Sequence, residues 1–350
     1  MSVLVQNREV LEWISEEYHG MNGSHVETLQ AAPSPLEFSR ICHISRPVLI
    51  KGYTIPKLRQ WSDSYLSGRM NESLISVAVT PDGYADAIAS GPDGKKYFVE
   101  PHVSQMTMAS LLRNLNATGD AGPEAYYLQS QNGNLFSSAY FDQEVEDTQS
   151  ELHPLRDDVP AEIPWCSEAL GRHPDAVNLW IGNGQSVTSI HSDPYENIYH
   201  VVRGRKTFLL LPPTEGWCLE ERLYPHAIYS RPDASSPLVA VPSPSDTPPI
   251  RWSSITHPER PGSLPPQAHP ICISVSAGET LYLPAGWWHH VRQSDDITIA
   301  LNWWYDIEPR GMAWIWLNLL RGIGNVPPAN DVDEDVAQDD HRHRTAHPIP

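Results

Sequence analysis

The stretch Ser186–Pro213, SVTSIHSDPYENIYHVVRGRKTFLLLPP, carries a histidine and an aspartate two places apart in a run that otherwise reads strand, turn, strand. Residues two apart on a strand project to the same side, so His191 and Asp193 would point together into whatever the sheet encloses. An imidazole and a carboxylate make two-thirds of a ligand set for a metal ion. Lys206 opens the next apolar run, KTFLLL, after the turn RGR.

Runs of the same kind surround this stretch: AYYLQSQ and AVNLWIG before it, PICISVSAG, ETLYLPA, HHVRQS and TIALNWWY after it. Many short strands punctuated by Gly and Pro predict an all-β core, a sandwich or small barrel. Helical spacing is confined to the ends. Val5, Leu11, Ile14 and Tyr18 mark an amphipathic opening helix, and SPLEFSRICHI reads as a second, capped by Ser34 with Pro35 in its first turn. After the last strand Pro309 is suited to the first turn of a helix through GMAWIWLNLLRGI, where Met312, Ile315, Trp316, Leu319 and Ile323 share one face. That face packs either on the body of the chain or on a second copy.

Two stretches read as surface excursions: the acidic FDQEVEDTQSELHPLRDDVPAEIP and a Pro/Ser-rich segment at about 231–270. The organisation expected is a helical and strand decoration over 1–120, a barrel over 121–307 containing that insertion, a C-terminal helix over 308–325, and a disordered acidic tail over 326–350.

The 350 residues carry a formal charge of −19, which argues against a nucleic-acid partner, since phosphate contacts select basic surfaces. A cationic partner fits better, although acid also serves solubility. Cys42, Cys166, Cys218 and Cys272 form no CxxC pair, and the N-terminus carries acids where a signal peptide carries bases. Both features predict reduced thiols and a cytoplasmic location, with the nucleus as a second compartment. No apolar run is long enough to span a bilayer.

A lone HxD is weak evidence of a metal and needs a third ligand. The segment AGETLYLPAGWWHHVRQS supplies two candidates. His289 shares parity with Trp287 and Val291, whereas His290 shares it with Trp288 and Arg292. Alternation favours His289, and a kink at Gly286 is what would change that register. Two histidines and one carboxylate leave adjacent coordination positions open, which suits Fe(II) binding a co-substrate together with dioxygen. A structural zinc site would want four closed ligands. Lys206 alone reads as a strand-end lysine in solvent, but beside an open iron site it becomes the cation for the far end of a chelating dicarboxylate. Thr188 is expected on the same side as His191, where it would add a hydroxyl.

The motifs TSIHSD, ENIYHVVRGRKTFLL, LYLPAGWWHHV and LNWWYD resemble the jumonji-C 2-oxoglutarate oxygenases of the factor-inhibiting hydroxylase type. SVAVTPDGYADAI, YYLQSQ and PDAVNLWIG are similar to its lysyl-hydroxylase branch. The likeness runs from about Pro33 to Asp306 and departs in the Pro/Ser-rich segment and the acidic tail. It implies a double-stranded β-helix, a jelly-roll or cupin-like barrel with N-terminal α/β decoration and a C-terminal helix, and a homodimer through the C-terminal helices. It makes His191, Asp193 and His289 the iron ligands. Lys206 becomes the partner of the distal carboxylate of 2-oxoglutarate, with Thr188 and Tyr127 hydrogen-bonding it and Asn197 and Asn302 lining the same pocket. Tyr199, two places from Asn197, has core packing as its alternative. The cofactors implied are Fe(II), 2-oxoglutarate and dioxygen. The reaction implied is C3 hydroxylation of a lysine in a GTPase of the translation-factor class. Removal of N-methyl groups from lysine is the rival reaction, and a barrel serving only as a binding module the non-enzymatic rival. A binding module would be expected to lose ligands or Lys206, and all are present.

Overall fold

The computed structural model describes residues 3–117, 124–129, 133–143, 150–233, 235–322 and 326–330. Eight strands build the barrel: β1 (Ala176–Gly182), β2 (Val187–Ser192), β3 (Tyr195–Arg203), β4 (Arg205–Leu211), β5 (Ile271–Ser276), β6 (Thr280–Leu283), β7 (Trp288–Gln293) and β8 (Thr298–Asp306). They divide between two sheets. One runs β6-β3-β8-β1 and the other β5-β4-β7-β2, all antiparallel, the jelly-roll arrangement of a double-stranded β-helix with helical additions.

Alternation along these strands assigns their two faces. On β5, Ile271, Ile273 and Val275 point inward while Cys272, Ser274 and Ser276 stay exposed. β1 is buried throughout because both its faces are covered: Ala176 and Trp180 face the barrel, and Val177, Leu179 and Ile181 join a second core outside it. That outer core is where the N-terminal decoration docks. Phe38 of helix Pro35–Ile44 meets Trp165 and Tyr282 edge-on, and Leu66, Met108 and Leu111 of two further helices pack into the same cluster. The helix that brings Phe38 begins where the sequence places it. Ser34 accepts from the Glu37 N–H while Glu37 reaches back to the Ser34 N–H at 2.7 Å, a reciprocal capping box.

One irregularity bears on the site. Thr188 pairs with Val291 and His191 with His289, so two residues of β2, Ser189 and Ile190, stand opposite His290 alone. This is a β-bulge. Thr188 and His191 are three apart, and a regular strand would put them on opposite faces; the extra residue restores them to the same one. Ile190 turns outward and packs with Leu209, Leu211, Leu219 and Trp288.

The excursions are more structured than their composition suggests. The Pro/Ser-rich segment contributes strands Val239–Pro242 and Ile250–Trp252, which pair with Ala227–Ser230 and Arg222–Tyr224. Within the acidic stretch, a short 3-10 helix, His153–Asp158, buries Leu155 and directs Asp158 to the indole N–H of Trp61 and the hydroxyl of Tyr65. The C-terminal helix spans Met312–Gly322, so Pro309 precedes it instead of sitting in its first turn, and Ile323 lies outside the described residues. Val326–Asn330, placed by sequence in the acidic tail, run beside Leu223, whose N–H and C=O bond to Pro327 and Ala329. The rest of the expected tail lies outside the described residues. Among the described residues, no helix is long and apolar enough to cross a membrane, and all four cysteines are free thiols.

Candidate functional site

His191 near the end of β2 and His289 on β7 are directly paired across the sheet, and their rings are 4.3 Å apart. Asp193 follows β2 by one residue. Its carbonyl accepts from the Gly286 N–H at 2.8 Å, which ties the two ligand-bearing loops together. Gly286 holds φ +79°, and a Cβ there would meet Leu317 of the C-terminal helix at 2.3 Å, so the turn requires glycine on both counts.

The two imidazoles have a defined tautomer. Nδ1 of His191 lies 2.8 Å from the Ser189 carbonyl and Nδ1 of His289 lies 3.0 Å from the Trp287 carbonyl. A carbonyl only accepts, so each Nδ1 carries a hydrogen and each neutral ring turns an Nε2 lone pair the other way. Both Nε2 atoms lie 3.7 Å from Oδ2 of Asp193, too far for a hydrogen bond. Three acceptors therefore converge on one point, an arrangement that a divalent cation would satisfy. Electrostatics agrees with a site awaiting positive charge. For Asp193 burial works upward, yet the two histidines hold its carboxyl below the usual range. For His191 burial works downward but Asp193 raises it, while burial and His191 together push His289 down to about 4.

His290 points the other way. It is buried on the outer face of β7, with Nε2 3.4 Å from Glu259 of the Pro/Ser-rich segment. The parity that separates the two histidines in sequence is the parity of the sheet: Trp287 and Val291 lie in the barrel core, Trp288 in the outer cluster.

A cavity of about 530 Å³ opens over the triad. Lys206, 1% exposed, sits behind the lining residues Tyr127, Tyr199 and Trp180, pointing inward with Phe208 and Leu210 on β4. Its ammonium donates to the Tyr127 hydroxyl at 2.8 Å and lies 5.1 to 6.0 Å from the ring centres of Tyr127, Tyr199 and Trp180. No carboxylate neighbours it among the described residues, and burial pushes it down to about 7. Thr188 is hydrogen-bonded to Tyr127, so three residues distant in sequence form one polar chain. Asn302 bridges Asn197, at 3.2 Å, and the Trp180 indole N–H, at 2.8 Å, on the cavity wall. Tyr199 lines the same cavity. Thus Thr188, Tyr127, Asn197, Tyr199 and Asn302 line this space with His191, Asp193 and His289, Lys206 reaches it through Tyr127, and His290 lies outside it.

Several others reach it unannounced. Trp252, from the Pro/Ser-rich segment, stacks on His191 at 5.7 Å with the planes 11° apart. Asp86, Glu100 and Gln129 line the cavity from the decoration. Burial, and then Glu100, raise the Asp86 carboxyl to about 6. PDGYADAI marked a turn there, but nothing in its pattern announced which way Asp86 faces. A second cavity of about 650 Å³ lies between the N-terminal and C-terminal helices, and Ser192, Asp193 and Arg321 line both spaces.

A barrel of this topology with two histidines, a carboxylate and a buried lysine inside it matches the 2-oxoglutarate-dependent oxygenase class of enzyme, to which its family and relatives assign the chain. The chain belongs to the cupin-like jumonji-C family: the cupin-like domain model matches residues 33–311. It is 37% identical to the human bifunctional peptidase and (3S)-lysyl hydroxylase JMJD7 over 81% of this chain and 84% of that one. It is 36% identical to the lysine-specific demethylase JMJ32 of Arabidopsis thaliana, over 86% and 87% respectively. The JmjC domain-containing protein E of Dictyostelium discoideum is 31% identical over 83% and 86%.

Proposed function

We propose that this protein is an Fe(II)- and 2-oxoglutarate-dependent protein hydroxylase that oxidises C3 of a lysine, with a GTPase of the translation-factor class as substrate. The observation that carries the reading is the convergence of His191, Asp193 and His289 on one point above a buried, carboxylate-free Lys206. The three acceptors would hold Fe(II). Lys206, with Tyr127 and Thr188, would hold the distal carboxylate of 2-oxoglutarate, while Asn197 and Asn302 shape the wall beside it. Bound iron with its co-substrate and dioxygen supplies an oxidant able to attack an unactivated C–H bond. The protein positions the target carbon, excludes water with Trp252, Tyr199 and Trp180, and turns the Nε2 of both histidines toward the metal position through their Nδ1 hydrogen bonds.

The hydroxylase named among the relatives supports lysine as the residue modified. The two cavities that meet at Asp193 offer length for a polypeptide, which suits a protein substrate better than a small molecule. Demethylation of methyl-lysine is the second reading, favoured by the 36% identity to a relative bearing that name. The proposed assembly is a homodimer through the C-terminal helix, in the cytoplasm.

Incubation with Fe(II), 2-oxoglutarate and candidate GTPases, followed by mass spectrometry, tests the proposal. A gain of one oxygen on a lysine supports it. Loss of a methyl group from a methyl-lysine protein, without oxygen gain on lysine, would replace it by demethylation.

A further inference from the structure

The cavity is charged in an ordered way. Exposure rises from Lys206, 1%, through the side chains of His289, 7%, and His191, 20%, to Glu100 at 50%. Positive charge thus occupies the most buried position. Asp86 and Glu100 line the same cavity as Trp252 and His191. Among the described residues the Asp86 carboxylate accepts one hydrogen bond, from Gln129 Nε2 at 3.3 Å. The cation Arg321, which also lines the cavity, is engaged by Glu221 at 2.8 Å. Among the described residues Glu100 has His226 beside it, at 3.4 Å.

Asp86 is held there at some cost. Its backbone is left-handed, φ +52°, and the Ser189 hydroxyl fixes its carbonyl at 2.5 Å, fastening it to the bulge that aims His191. The wall also carries an unmet donor: Trp304, 5% exposed and lining the cavity, has a buried indole N–H with no partner among the described residues. Two carboxylates that line a cavity and lack a committed lysine or arginine among the described residues are placed to take a cation from a guest.

We propose that Asp86 and Glu100 bind the primary ammonium of the substrate side chain and so select an unmethylated alkylammonium over its neutral and quaternary counterparts. This rests on the reading of the cavity as an oxygenase active site. Three N–H donors match the carboxylate oxygens and the Gln129 amide, whereas a trimethylammonium has no hydrogen to donate. The faces of Trp252 and Phe98 suit the methylenes between the ammonium and the target carbon. With the ammonium anchored at the acidic wall, a carbon nearer the main chain is left over the triad. That geometry favours hydroxylation of the side chain over attack on a group attached to nitrogen.

The test uses the full chain loaded with Mn(II) and 2-oxoglutarate, so no macromolecular substrate or turnover is needed. The readout is paramagnetic broadening of probe methylene proton signals, with n-butylammonium, 1-butanol and butyltrimethylammonium as probes. The ammonium should bind roughly tenfold more tightly than either analogue, the scale of a charge-assisted hydrogen bond. Asp86→Asn and Glu100→Gln should each remove most of that preference. Asparagine tolerates the left-handed backbone at position 86, and Glu100 sits on a separate strand, so the two variants report independently. Water-proton relaxation by bound Mn(II), and 2-oxoglutarate affinity, should stay as in the wild type. Equal broadening by butanol, or variants that keep the full preference, would overturn the ammonium subsite and leave the oxygenase reading standing. Failure of the wild type to hold Mn(II), or retention of Mn(II) by His289→Ala, would instead overturn the oxygenase reading and this inference with it.

Discussion

His191 and His289 face each other as paired residues of β2 and β7, and each presents Nε2 at 3.7 Å to the same oxygen of Asp193. Their Nδ1 atoms are committed to the carbonyls two residues earlier in the chain, Ser189 and Trp287. The sheet register sets their separation and the carbonyls set their tautomer, so the site is organised before any ion arrives.

Removing one acceptor should therefore abolish metal binding without unfolding the chain. Asp193→Ala and His289→Ala should each lose Mn(II) by electron paramagnetic resonance and lose turnover, with circular dichroism unchanged. His290→Ala should keep the metal but cost about 1 to 3 kcal/mol of stability, because it empties a buried position on the outer face. The reverse pattern between His289 and His290 would reverse their assignment.

Lys206→Ala would leave the distal carboxylate of 2-oxoglutarate unpaired in a dry pocket. Truncating one partner of a buried charge pair costs roughly 2 to 5 kcal/mol, so apparent 2-oxoglutarate affinity should fall by more than about tenfold. An unchanged dissociation constant in titration calorimetry would remove Lys206 from the co-substrate site.

Binding should also take up a proton. Burial lowers Lys206 to about 7 in the unliganded protein, so above that pH the amine is increasingly neutral. A dicarboxylate restores the charge, and its affinity should weaken as pH rises beyond 7, by at most about tenfold per unit. Between about 7 and the ordinary value of 10.5 the unfolded chain binds more protons at this group than the folded one, so its contribution to unliganded stability rises with pH. Calorimetry near pH 8.5 in buffers of different ionisation enthalpy should show uptake of nearly one proton. Lys206→Met should abolish the uptake.

The C-terminal helix exposes Met312, Ile315, Trp316 and Leu319, half to two-thirds exposed, while Leu317 on its other side meets the Gly286 turn. Four large apolar side chains on one face are suited to a symmetric contact. Light scattering should find a dimer, and Trp316→Glu should give a monomer with reduced turnover, since each dimer would bury two unpaired carboxylates. A wild type monomeric at micromolar concentration would return this face to solvent.

The sequence by itself determined the barrel strands and the inward residues on them. Alternation is a local, period-two property, so His289 separates from His290 without knowledge of any partner strand, whereas Lys206, which alone reads as a strand end in solvent, is turned inward only by the site it serves. The cap at Ser34 was legible for the same reason, since its donors and acceptors lie within four residues. What joins distant segments was decided only in three dimensions. Thr188 reaches the side of His191 because Ser189 and Ile190 share one partner on β7, and a register slip depends on how two strands hydrogen-bond, which neither strand's pattern records. Trp252 comes from a segment whose prolines and serines read as loop, and it stacks on His191 because that segment pairs with Arg222–Tyr224. Asp86 lines the cavity of His191, Asp193 and His289 through a left-handed backbone held by Ser189, more than a hundred residues away, and such a conformation is paid for by tertiary contacts that local propensity does not encode.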